Sequence, residues 1–588
     1  MKKTLFFCTI YLMATSIFSQ EKKLDNLFTQ TSEMNNMMVN YQADYDILNR
    51  FYSTKLNANS NDNFNSPQRR KRILSLIQDY LLKLPSNQFQ QMSKNGQVDY
   101  LLFKRNLNKE KNKLEQENQT FQKISSYLPE TSEIYLLEEQ RKRGAKPQPE
   151  KDARLINQLI KNVQEKTSSA AANFNNLHNN ELQFIQAEIN SRRGALKNYS
   201  QFYKGYDPNF DWWILTSAND LDSHLNLFNI IVSQTIYKKN KNDANKTDIK
   251  AEPIGRTALE TLLQEEFINY TPEELIQIAQ QELRWCTTEI IKASREMGYD
   301  SNWKKALEAV KNTFVLPGNQ PQKVMEIYNE SIQFLKDNHL VTIPAIAEEA
   351  WRMNMMPPAQ QRYAPFFLGG EVLLISYPTD DMNFDDKMMS LRSNNPHFSK
   401  AVVHHELIPG HHLQGFMNDR YKTYRNFRTP FWHEGNALYW EFLLYEKGFA
   451  KSPQDKIGML FWRMHRCARI IFSLNFHLGN WTPQVCIDFL VDKVGHENFS
   501  AEAEVRRSFV GGYGPLYQIA YMIGGLQFWK LKQEIVDQKL MTIQQYNDNI
   551  LHENAMPIEF IRAILLNKPL TENYSSNWKF YNFEQSNK

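Results

Sequence analysis

The chain has 588 residues, of which 41% are hydrophobic and 23% are charged, and its formal net charge is +4. A chain of this length can bury a large core, and its nearly balanced charge gives no indication of nucleic-acid binding. Past the N-terminal segment no stretch is apolar enough for long enough to cross a bilayer, which excludes a membrane-embedded protein. After residue 20 the chain contains three cysteines, Cys286, Cys467 and Cys486. At most one disulfide is therefore expected.

Residues 1–20 carry the pattern of a secretory signal peptide. Lys2 and Lys3 form a basic start, a mostly apolar run follows, and cleavage is expected near the end of this segment. Cys8 lies in the apolar run without a lipoprotein-type cleavage sequence ahead of it, which favours free export over a lipid anchor. We therefore expect an exported protein, periplasmic or secreted after signal-peptide cleavage.

Apolar residues recur at helical spacing along most of the chain, which predicts a mainly α-helical fold. Helix starts are indicated at Thr271-Pro272 and at Thr482-Pro483, because a capping threonine precedes a proline in each. The polar, asparagine-rich segment 153–191 is interpreted as a solvated hairpin arm. The clearest helical segments are 74–84, 98–114, 153–191, 221–237, 272–297 and 323–335.

One segment breaks the helical pattern. Residues 372–377 form a short apolar and β-branched run between Gly369-Gly370 and Pro378, which predicts a strand of a small sheet. No linker, low-complexity tract or internal repeat divides residues 21–588, so we predict a single domain over this range.

The most distinctive segment is HHELIPGHH, residues 404–412, in which four histidines flank one glutamate. A catalytic zinc ion takes three protein ligands, imidazole nitrogens or carboxylate oxygens, and leaves a further position for water. The usual helical source of two ligands and a base is His-Glu-x-x-His. Here the residue four after His405 is Pro409, so the usual spacing is absent and two residues are inserted.

Two geometries are possible for the second ligand. If the proline–glycine pair forms a bulge, His411 returns to the place of the second histidine of the usual motif. In a continuous helix His412 would share the face of His405, but about 10.5 Å further along the axis at ~1.5 Å per residue. Parallel side chains so far apart do not converge readily, so His411 is the preferred ligand and His412 the alternative.

A third ligand is expected from a second helix. Glu434 lies far enough after His405 for the first helix to end and for Thr429-Pro430 to start another. Glu441 falls on the same helical face as Glu434, and Gly435 leaves room for a close approach of a neighbouring element.

The run His-Glu-x-x-Pro-Gly-His-His-x-Gln resembles the signature of the family known as domain of unknown function 885, over most of the chain. This family is similar to helical zinc metallopeptidases such as the carboxypeptidase Taq and thimet oligopeptidase groups. The His-Glu-Gly at residues 433–435 resembles the His-Glu-Ser of the carboxypeptidase Taq group, whose glutamate binds zinc. Dipeptidyl peptidase III has a similarly lengthened motif.

The resemblance implies a large helical zinc-peptidase-like fold with a small β-sheet beside an active-site channel. It also implies a Zn²⁺ site with His405, His411 and Glu434 as ligands and Glu406 as the catalytic base.

Residues 506–524 resemble a further motif of the same family. Tyr517 and Tyr521 are one helical turn apart, so both can face one site, and either phenol is expected to stabilise an oxyanion during catalysis. Arg506 or Arg507 is expected to hold a substrate carboxylate through paired hydrogen bonds.

These residues predict a zinc-dependent hydrolase that cleaves peptide bonds of short peptides, of the carboxypeptidase or oligopeptidase type, with Glu406 as base. The preference for short peptides follows from the resemblance alone. Two alternatives stay open: a zinc-site binding or scaffold protein without turnover, and a metal-dependent amidase or esterase. Replacement of Glu406 by Gln separates turnover from simple metal binding.

Overall fold

The computed structural model describes residues 31–52, 66–241, 247 and 249–583. Their fold is mainly α-helical, as the apolar spacing predicts, and the described residues contain one two-stranded sheet. None of the described helices combines the length and the apolar character needed to cross a membrane. The predicted signal peptide, residues 1–20, lies outside the described residues.

The chain divides into two compact units. The first unit contains residues 36–86 and 103–244, and the second unit contains the remaining described residues, chiefly those after residue 245. All the candidate site residues belong to the second unit. The single domain expected over residues 21–588 stays a prediction.

The first unit is built from helices whose apolar faces share one buried core. Helices α5 and α6 both pack on α8. A π-helical turn, Asp211–Leu215, joins α7 to α8. The helices before residue 245 are α1 (Asn35–Phe51), α2 (Pro67–Leu82), α3 (Lys94–Ile124), α4 (Glu133–Lys142), α5 (Pro149–Asn173), α6 (Asn179–Phe202), α7 (Pro208–Phe210) and α8 (Thr216–Lys241).

The interpretation of residues 153–191 as a solvated hairpin arm is wrong. The structure divides this segment between α5 and α6, and Ile156, Ile185 and Ile189 are fully buried in the core of the first unit. Polar residues occupy the outer faces of the two helices, so a hydrophilic composition hides one continuous apolar face on each.

The second unit carries the remaining helices. Helix α10 packs along α19, and α18 packs along α22. The three cysteines after residue 20 are buried and free, as expected for a protein stabilised by its core. The helices are α9 (Arg256–Glu265), α10 (Pro272–Glu296), α11 (Trp303–Lys311), α12 (Gln320–Asp337), α13 (Ala345–Ala350), α14 (Pro358–Gln361), α15 (Phe384–Ser393), α16 (Pro396–Glu406), α17 (His411–Asn418), α18 (Pro430–Glu446), α19 (Pro453–His477), α20 (Pro483–Phe489), α21 (Asn498–Val510), α22 (Tyr517–Ile535), α23 (Ile543–His552) and α24 (Ile558–Leu565).

The sheet has two parallel strands, β1 (Arg352–Met355) and β2 (Val372–Ile375). The register pairs the first residue of β1 with the first of β2. Strand β2 lies within the predicted strand and ends two residues earlier. On its other edge, the backbone of Leu368 pairs with Leu374, so this edge of β2 is covered at that residue.

Both predicted helix starts are confirmed. The side chain of Thr271 accepts a hydrogen bond from the Glu274 backbone, and the Glu274 side chain accepts one from the Thr271 backbone, so the two satisfy each other's free N–H groups. Thr482 caps α20 by accepting from the backbone N–H of Val485. Proline follows each threonine as the first helical residue.

Helices α18 and α22 approach each other at a pair of glycines. A Cβ atom on Gly435 would lie 2.5 Å from the Cα of Gly524, which is far inside van der Waals contact. The room expected at Gly435 is thus used by the backbone of α22. This close packing brings Tyr517 and Tyr521, near the start of α22, next to Glu434 on α18.

Candidate metal centre

The helical motif is interrupted at the inserted proline–glycine pair. Helix α16 ends at Glu406 and α17 begins at His411, and the peptide bond before Pro409 is cis. A Cβ atom on Gly410 would lie 1.7 Å from the carbonyl oxygen of His405, so this turn requires glycine. The interruption returns His411 to the neighbourhood of His405 instead of carrying it further along one helix.

Three buried side chains from α16, α17 and α18 meet at one point. Nε2 of His405 lies 3.4 Å from Oε2 of Glu434, and Nε2 of His411 lies 3.2 Å from the same oxygen. The candidate ligand atoms of the three residues all lie within 4.8 Å of one another. The structure thus brings together the three residues expected to be ligands, while metal binding itself stays a prediction.

Neighbouring side chains determine how the two imidazoles point. Nδ1 of His405 lies 2.7 Å from Oε1 of Glu441, and Nδ1 of His411 lies 3.2 Å from Oε1 of Gln414. The Gln414 amide nitrogen donates to the carbonyl oxygen of His433, which leaves its oxygen to accept from His411. Nδ1 of each imidazole is thus engaged by a neighbouring side chain, and Nε2 is the ring nitrogen that faces Glu434, as in a metal ligand oriented by its neighbours.

The donor set fits a zinc ion. Oε2 of Glu434 is buried, and no N–H or O–H group of the described residues is aligned to donate to it. Two ligands of a tetrahedral ion, each at about 2.1 Å, are about 3.4 Å apart. The separations of 3.2 and 3.4 Å between this oxygen and the two nitrogens are close to that value. Two imidazole nitrogens and one carboxylate oxygen are ligands that catalytic zinc takes.

The electrostatics of the cluster favour a cation. Burial alone would lower the pKa of His405, but its contacts with Glu434 and Glu441 outweigh burial and raise that pKa to about 9. Burial alone would raise the pKa of Glu434, yet the neighbouring His411 and His405 hold it well below its ordinary value. The carboxylates thus create a local field that attracts positive charge.

His412, the alternative ligand, points away from the cluster. Its Nε2 donates to the carbonyl oxygen of Ala347 at 2.7 Å, and His412 is not one of the clustered residues. The geometry therefore favours His411 over His412 as the second histidine of the site.

The cluster faces a cavity of about 250 Å³. Glu406 lines this cavity, with its Oε2 at 4.0 Å from Nε2 of His411. Tyr517 donates a hydrogen bond to Oε1 of Glu434, and the hydroxyl of Tyr521 donates to Tyr517 at 3.2 Å. Burial and then the charge of Glu434 raise the pKa of Tyr521 to about 12, so this phenol carries its proton at neutral pH.

Of the two candidate arginines, Arg507 lines the cavity and Arg506 does not. Arg506 forms an ion pair with Glu502, one helical turn earlier, at 2.8 Å. The Nη2 atom of Arg507 donates to the hydroxyls of Tyr517 and Tyr521 at 3.3 and 3.4 Å.

His433, Arg466 and Arg469 also line the cavity, and the sequence predicts no role for them. The ring of His433 stacks on that of His411 with the centroids 4.0 Å apart. The guanidinium groups of Arg466 and Arg469 lie 4.7 and 4.3 Å from the ring centroid of Tyr521. The three-residue spacing of these arginines in an apolar helix predicts a shared face. No local signal predicts that this face meets the cavity.

These features define a mainly α-helical protein with a buried His–His–Glu cluster at a helix interruption. The chain belongs to the family described as bacterial protein of unknown function (DUF885), whose model matches residues 16–565. None of the curated proteins matches the chain.

Two solved structures resemble the fold. The first is described as "a putative lipoprotein of unknown function from Shewanella oneidensis"; it is 15% identical, has a TM-score of 0.64, and the match covers 91% of this chain and 99% of that one. The second is described as "the putative lipoprotein from Colwellia psychrerythraea"; it is 15% identical, has a TM-score of 0.48, and the match covers 70% of this chain and 74% of that one. At this identity the likeness to the Shewanella oneidensis protein shows a shared fold.

Proposed function

We propose that this protein is a zinc-dependent hydrolase that cleaves peptide bonds in short peptides. The observation that carries the proposal is the convergence of His405, His411 and Glu434 on one buried point, with the carboxylate of Glu406 beside it. The resemblance of the motif to those of helical zinc metallopeptidases also supports a zinc-dependent hydrolase.

His405, His411 and Glu434 would hold the zinc ion. Both histidines have Nδ1 engaged by a neighbouring side chain, which leaves Nε2 as the donor atom. Glu434 has one oxygen held by Tyr517 and the other turned toward both imidazoles. Zinc bound by such a set supplies Lewis acidity to a carbonyl group and makes water acidic near neutral pH.

Glu406 is the proposed general base. Its carboxylate would take a proton from the attacking water and pass it to the leaving amine, a role that contributes about 10²–10⁴-fold in enzymes. Glu406 follows His405 on the last turn of α16, and its backbone carbonyl accepts a hydrogen bond from Gly370 at 3.1 Å. This contact holds the end of α16, and with it the base, against the segment that precedes β2.

Tyr517 and Tyr521 are the proposed donors to the oxyanion, and their different hydrogen-bond contacts indicate different roles. Tyr517 donates its hydroxyl hydrogen bond to Glu434, so Tyr517 mainly positions that ligand. Tyr521 donates only to another hydroxyl, so its proton can turn toward a substrate oxygen. Loss of one such donor costs about 2.7–4 kcal/mol in transition-state stabilisation where it has been measured.

The size of the cavity supports short substrates. Its volume of about 250 Å³ lies below the ~300–1,000 Å³ range of pockets for drug-sized ligands. A folded protein domain cannot enter such a space, whereas one or two residues of a peptide can.

We also propose that the protein is exported. Residues 1–20 have the basic start and apolar run of a signal peptide, and the description of the Shewanella oneidensis protein agrees with export of a protein of this fold. Mass spectrometry of the N-terminus of protein purified from cell-envelope and periplasmic fractions tests this. A mature chain that begins near residue 20 is expected, and an intact N-terminus in the cytoplasmic fraction would contradict export.

The central experiment compares the wild-type protein with Glu406→Gln. Metal content is measured by mass spectrometry, and turnover is measured by digestion of a peptide library with and without a chelator. We expect about one zinc per chain in both proteins, and a loss of turnover of about 10²–10⁴-fold in the variant. Glu446→Gln, on the exposed part of α18, removes a carboxylate outside the cavity and is expected to leave both quantities unchanged.

Each result has a defined meaning. Full zinc content without cleavage of any peptide in the wild-type protein would favour a binding or scaffold protein. Cleavage of amide or ester substrates but of no peptide would favour the amidase or esterase reading. A wild-type protein that binds no metal would overturn all three.

A further inference from the structure

Arg507 is a buried cation without a carboxylate partner among the described residues. Its side chain is only 5% exposed, yet its hydrogen bonds go to the neutral hydroxyls of Tyr517 and Tyr521. Its Nε atom is buried and has no hydrogen-bond partner in the described part of the chain. Burial of a guanidinium group without an anion is costly, so a partner from outside the chain is expected.

The other two arginines of the cavity provide a comparison within the same site. Arg469 forms two parallel hydrogen bonds with Glu504, at 2.8 and 3.0 Å. Arg466 forms an ion pair with Glu441 at 3.4 Å. Both are therefore paired with protein carboxylates, although Nε of Arg466 and Nη1 of Arg469 have no hydrogen-bond partner among the described residues. Among the described residues, Arg507 is the arginine of this cavity that has no carboxylate partner of its own.

The charge of the site points to an anionic ligand as well. The cavity and its immediate partners contain three arginines and four glutamates, the latter being Glu406, Glu434, Glu441 and Glu504. With a divalent ion bound and both imidazoles neutral as its ligands, three arginines, four glutamates and the ion would leave a single excess positive charge. One carboxylate of a substrate would then restore neutrality.

We propose that Arg507 binds a carboxylate group of the substrate and makes the protein selective for peptides that carry one next to the cleaved bond. The proposal rests on the hydrolase function proposed above and names its substrate class. Arg507 is a specificity-determining residue in this scheme, and the paired N–H groups of its guanidinium suit the two oxygens of a carboxylate.

The position of Arg507 indicates where that carboxylate sits in the peptide. A single phenol, Tyr517, connects Arg507 to the metal cluster by contacting both its guanidinium group and Glu434. Only one hydroxyl group therefore separates the guanidinium from a metal ligand, so a carboxylate on Arg507 would belong to a residue next to a bond held at the cluster. The α-carboxylate of a C-terminal residue meets this requirement, and so does the side chain of an acidic residue at the same position.

The rings around Arg507 hold it in place for this role. Its guanidinium carbon lies 4.8 Å from the ring centroid of Tyr513 and 5.6 Å from that of Tyr517. Contacts of a guanidinium with aromatic faces restrict its orientation without using its N–H donors. A ligand therefore meets a preset group and need not displace an existing ion pair.

Binding to the Glu406→Gln protein tests the proposal without relying on turnover. Three tripeptides of equal length are compared by titration calorimetry: trialanine with a free C-terminus, trialanine amide, and an amidated peptide that ends in glutamate. We expect the free acid to bind about 10- to 100-fold more tightly than the trialanine amide, as for a charge-assisted hydrogen bond to a buried guanidinium. Tight binding of the amidated glutamate peptide would identify an acidic side chain as a second accepted source of the carboxylate.

Variants then assign the preference to Arg507. Arg507→Met is expected to remove the preference for the free acid, and Arg507→Lys to retain part of it, because a lysine keeps the charge but loses the paired donors. Arg506→Met removes a neighbouring positive charge that pairs with Glu502, and the full preference is expected to remain. Thermal unfolding curves establish that each variant is folded. The free acid and the amide are also compared in the protein that keeps Arg507, and that comparison needs no Arg507 variant.

Equal binding of the acid and the amide, or no binding of either, would overturn the carboxylate site. If the wild-type protein cleaves free-acid and amidated peptides at equal rates, the carboxylate site is refuted and the proposed hydrolase function stands. Selective binding of carboxylates by a protein that cleaves nothing would refute the hydrolase and leave the carboxylate site intact.

Discussion

At the scale of single residues, the candidate metal centre depends on the pair that interrupts the helix. Proline cannot continue the backbone hydrogen-bond ladder, and Gly410 allows the chain to pass close to His405. The preference for His411 over His412 was therefore predictable from the spacing. The roles of Gln414 and His433 were not, because both depend on how α17 packs against α18 and no local pattern encodes that packing.

Exchange of the two adjacent histidines for alanine separates their roles. We expect His411→Ala to lose stoichiometric zinc, because it removes one of three ligand atoms. We expect His412→Ala to keep its zinc and to lose about 2–4 kcal/mol of unfolding free energy, since it removes a buried ring and leaves the carbonyl of Ala347 without its donor. Metal analysis and urea unfolding of both variants measure these effects. Zinc retained by His411→Ala and lost by His412→Ala would reverse the assignment.

At the scale of helices and strands, local signals in the sequence anticipated many elements. Thr271 and Thr482 each precede a proline and start a helix, because capping is decided within one turn of the chain. Strand β2 was indicated by its apolar run, whereas β1 was not, since it has only four residues, Arg352–Met355, and they are mostly exposed. The meeting of Arg466 and Arg469 with Tyr521 joins α19 to α22, and such long-range contacts leave no local trace.

The contact between α18 and α22 can be tested with two glycines. Gly435→Ala is expected to lower the free energy of unfolding by about 1–3 kcal/mol, because the new Cβ would overlap the backbone of Gly524. Gly415, in the exposed face of α17, has no atom within 4 Å of a Cβ built on it. Gly415→Ala is therefore expected to be neutral or to stabilise by up to about 1 kcal/mol. Urea unfolding measures both, and equal effects of the two changes would contradict a close helix contact.

Asp455 connects α19 to the helix that carries His405. Its carboxylate lies 2.7 Å from Nδ1 of His397 and 3.1 Å from Nζ of Lys400, both on α16. Burial raises the pKa of Asp455, but these two partners outweigh burial and hold that pKa well below its ordinary value. A carboxylate whose pKa is lowered in the folded state stabilises the protein at pH values above its unfolded pKa of about 3.9. This stabilisation is lost as the pH falls from that value toward the folded pKa.

We therefore expect Asp455→Asn to be less stable than the wild type by about 1 kcal/mol at neutral pH, after allowance for solvent screening. This difference should shrink below about pH 4, because the carboxylate becomes protonated in the unfolded wild-type chain at a higher pH than in the folded protein. Urea unfolding as a function of pH measures it. Asp492→Asn changes an exposed aspartate that pairs with Lys304, and it should show no comparable difference. A gap between wild type and Asp455→Asn that widens in acid would contradict the assignment.

At the scale of the whole molecule, the length and the sparse cysteines indicated stability from a large core, and the structure has extensive buried apolar surface and free cysteines. The polar composition of residues 153–191 concealed a core in the first unit, because composition alone does not show which face of a helix is apolar. The family was accessible from the motif at residues 404–412. The cavity beside it was not, because its walls come from segments far apart in the chain.

Removal of the metal should affect the stability of the second unit. The three proposed ligands come from α16, α17 and α18, so an ion held by them would stabilise the folded arrangement of these helices. At a free metal concentration 1,000 times the dissociation constant, that stabilisation is about 4 kcal/mol. We expect a chelator to lower the temperature of thermal unfolding, measured by calorimetry, and zinc to restore it. Glu434→Gln protein should respond much less to either, and an equal response would place the metal elsewhere.

Anomalous diffraction from crystals of the purified protein, with data collected on both sides of the zinc absorption edge, locates the ion itself. We predict one anomalous peak per chain, between Nε2 of His405, Nε2 of His411 and a carboxylate oxygen of Glu434, that disappears below the edge. A map from fully zinc-loaded crystals with no peak among these three side chains, or with its peak at His412 instead, would contradict the metal centre on which the proposed function depends.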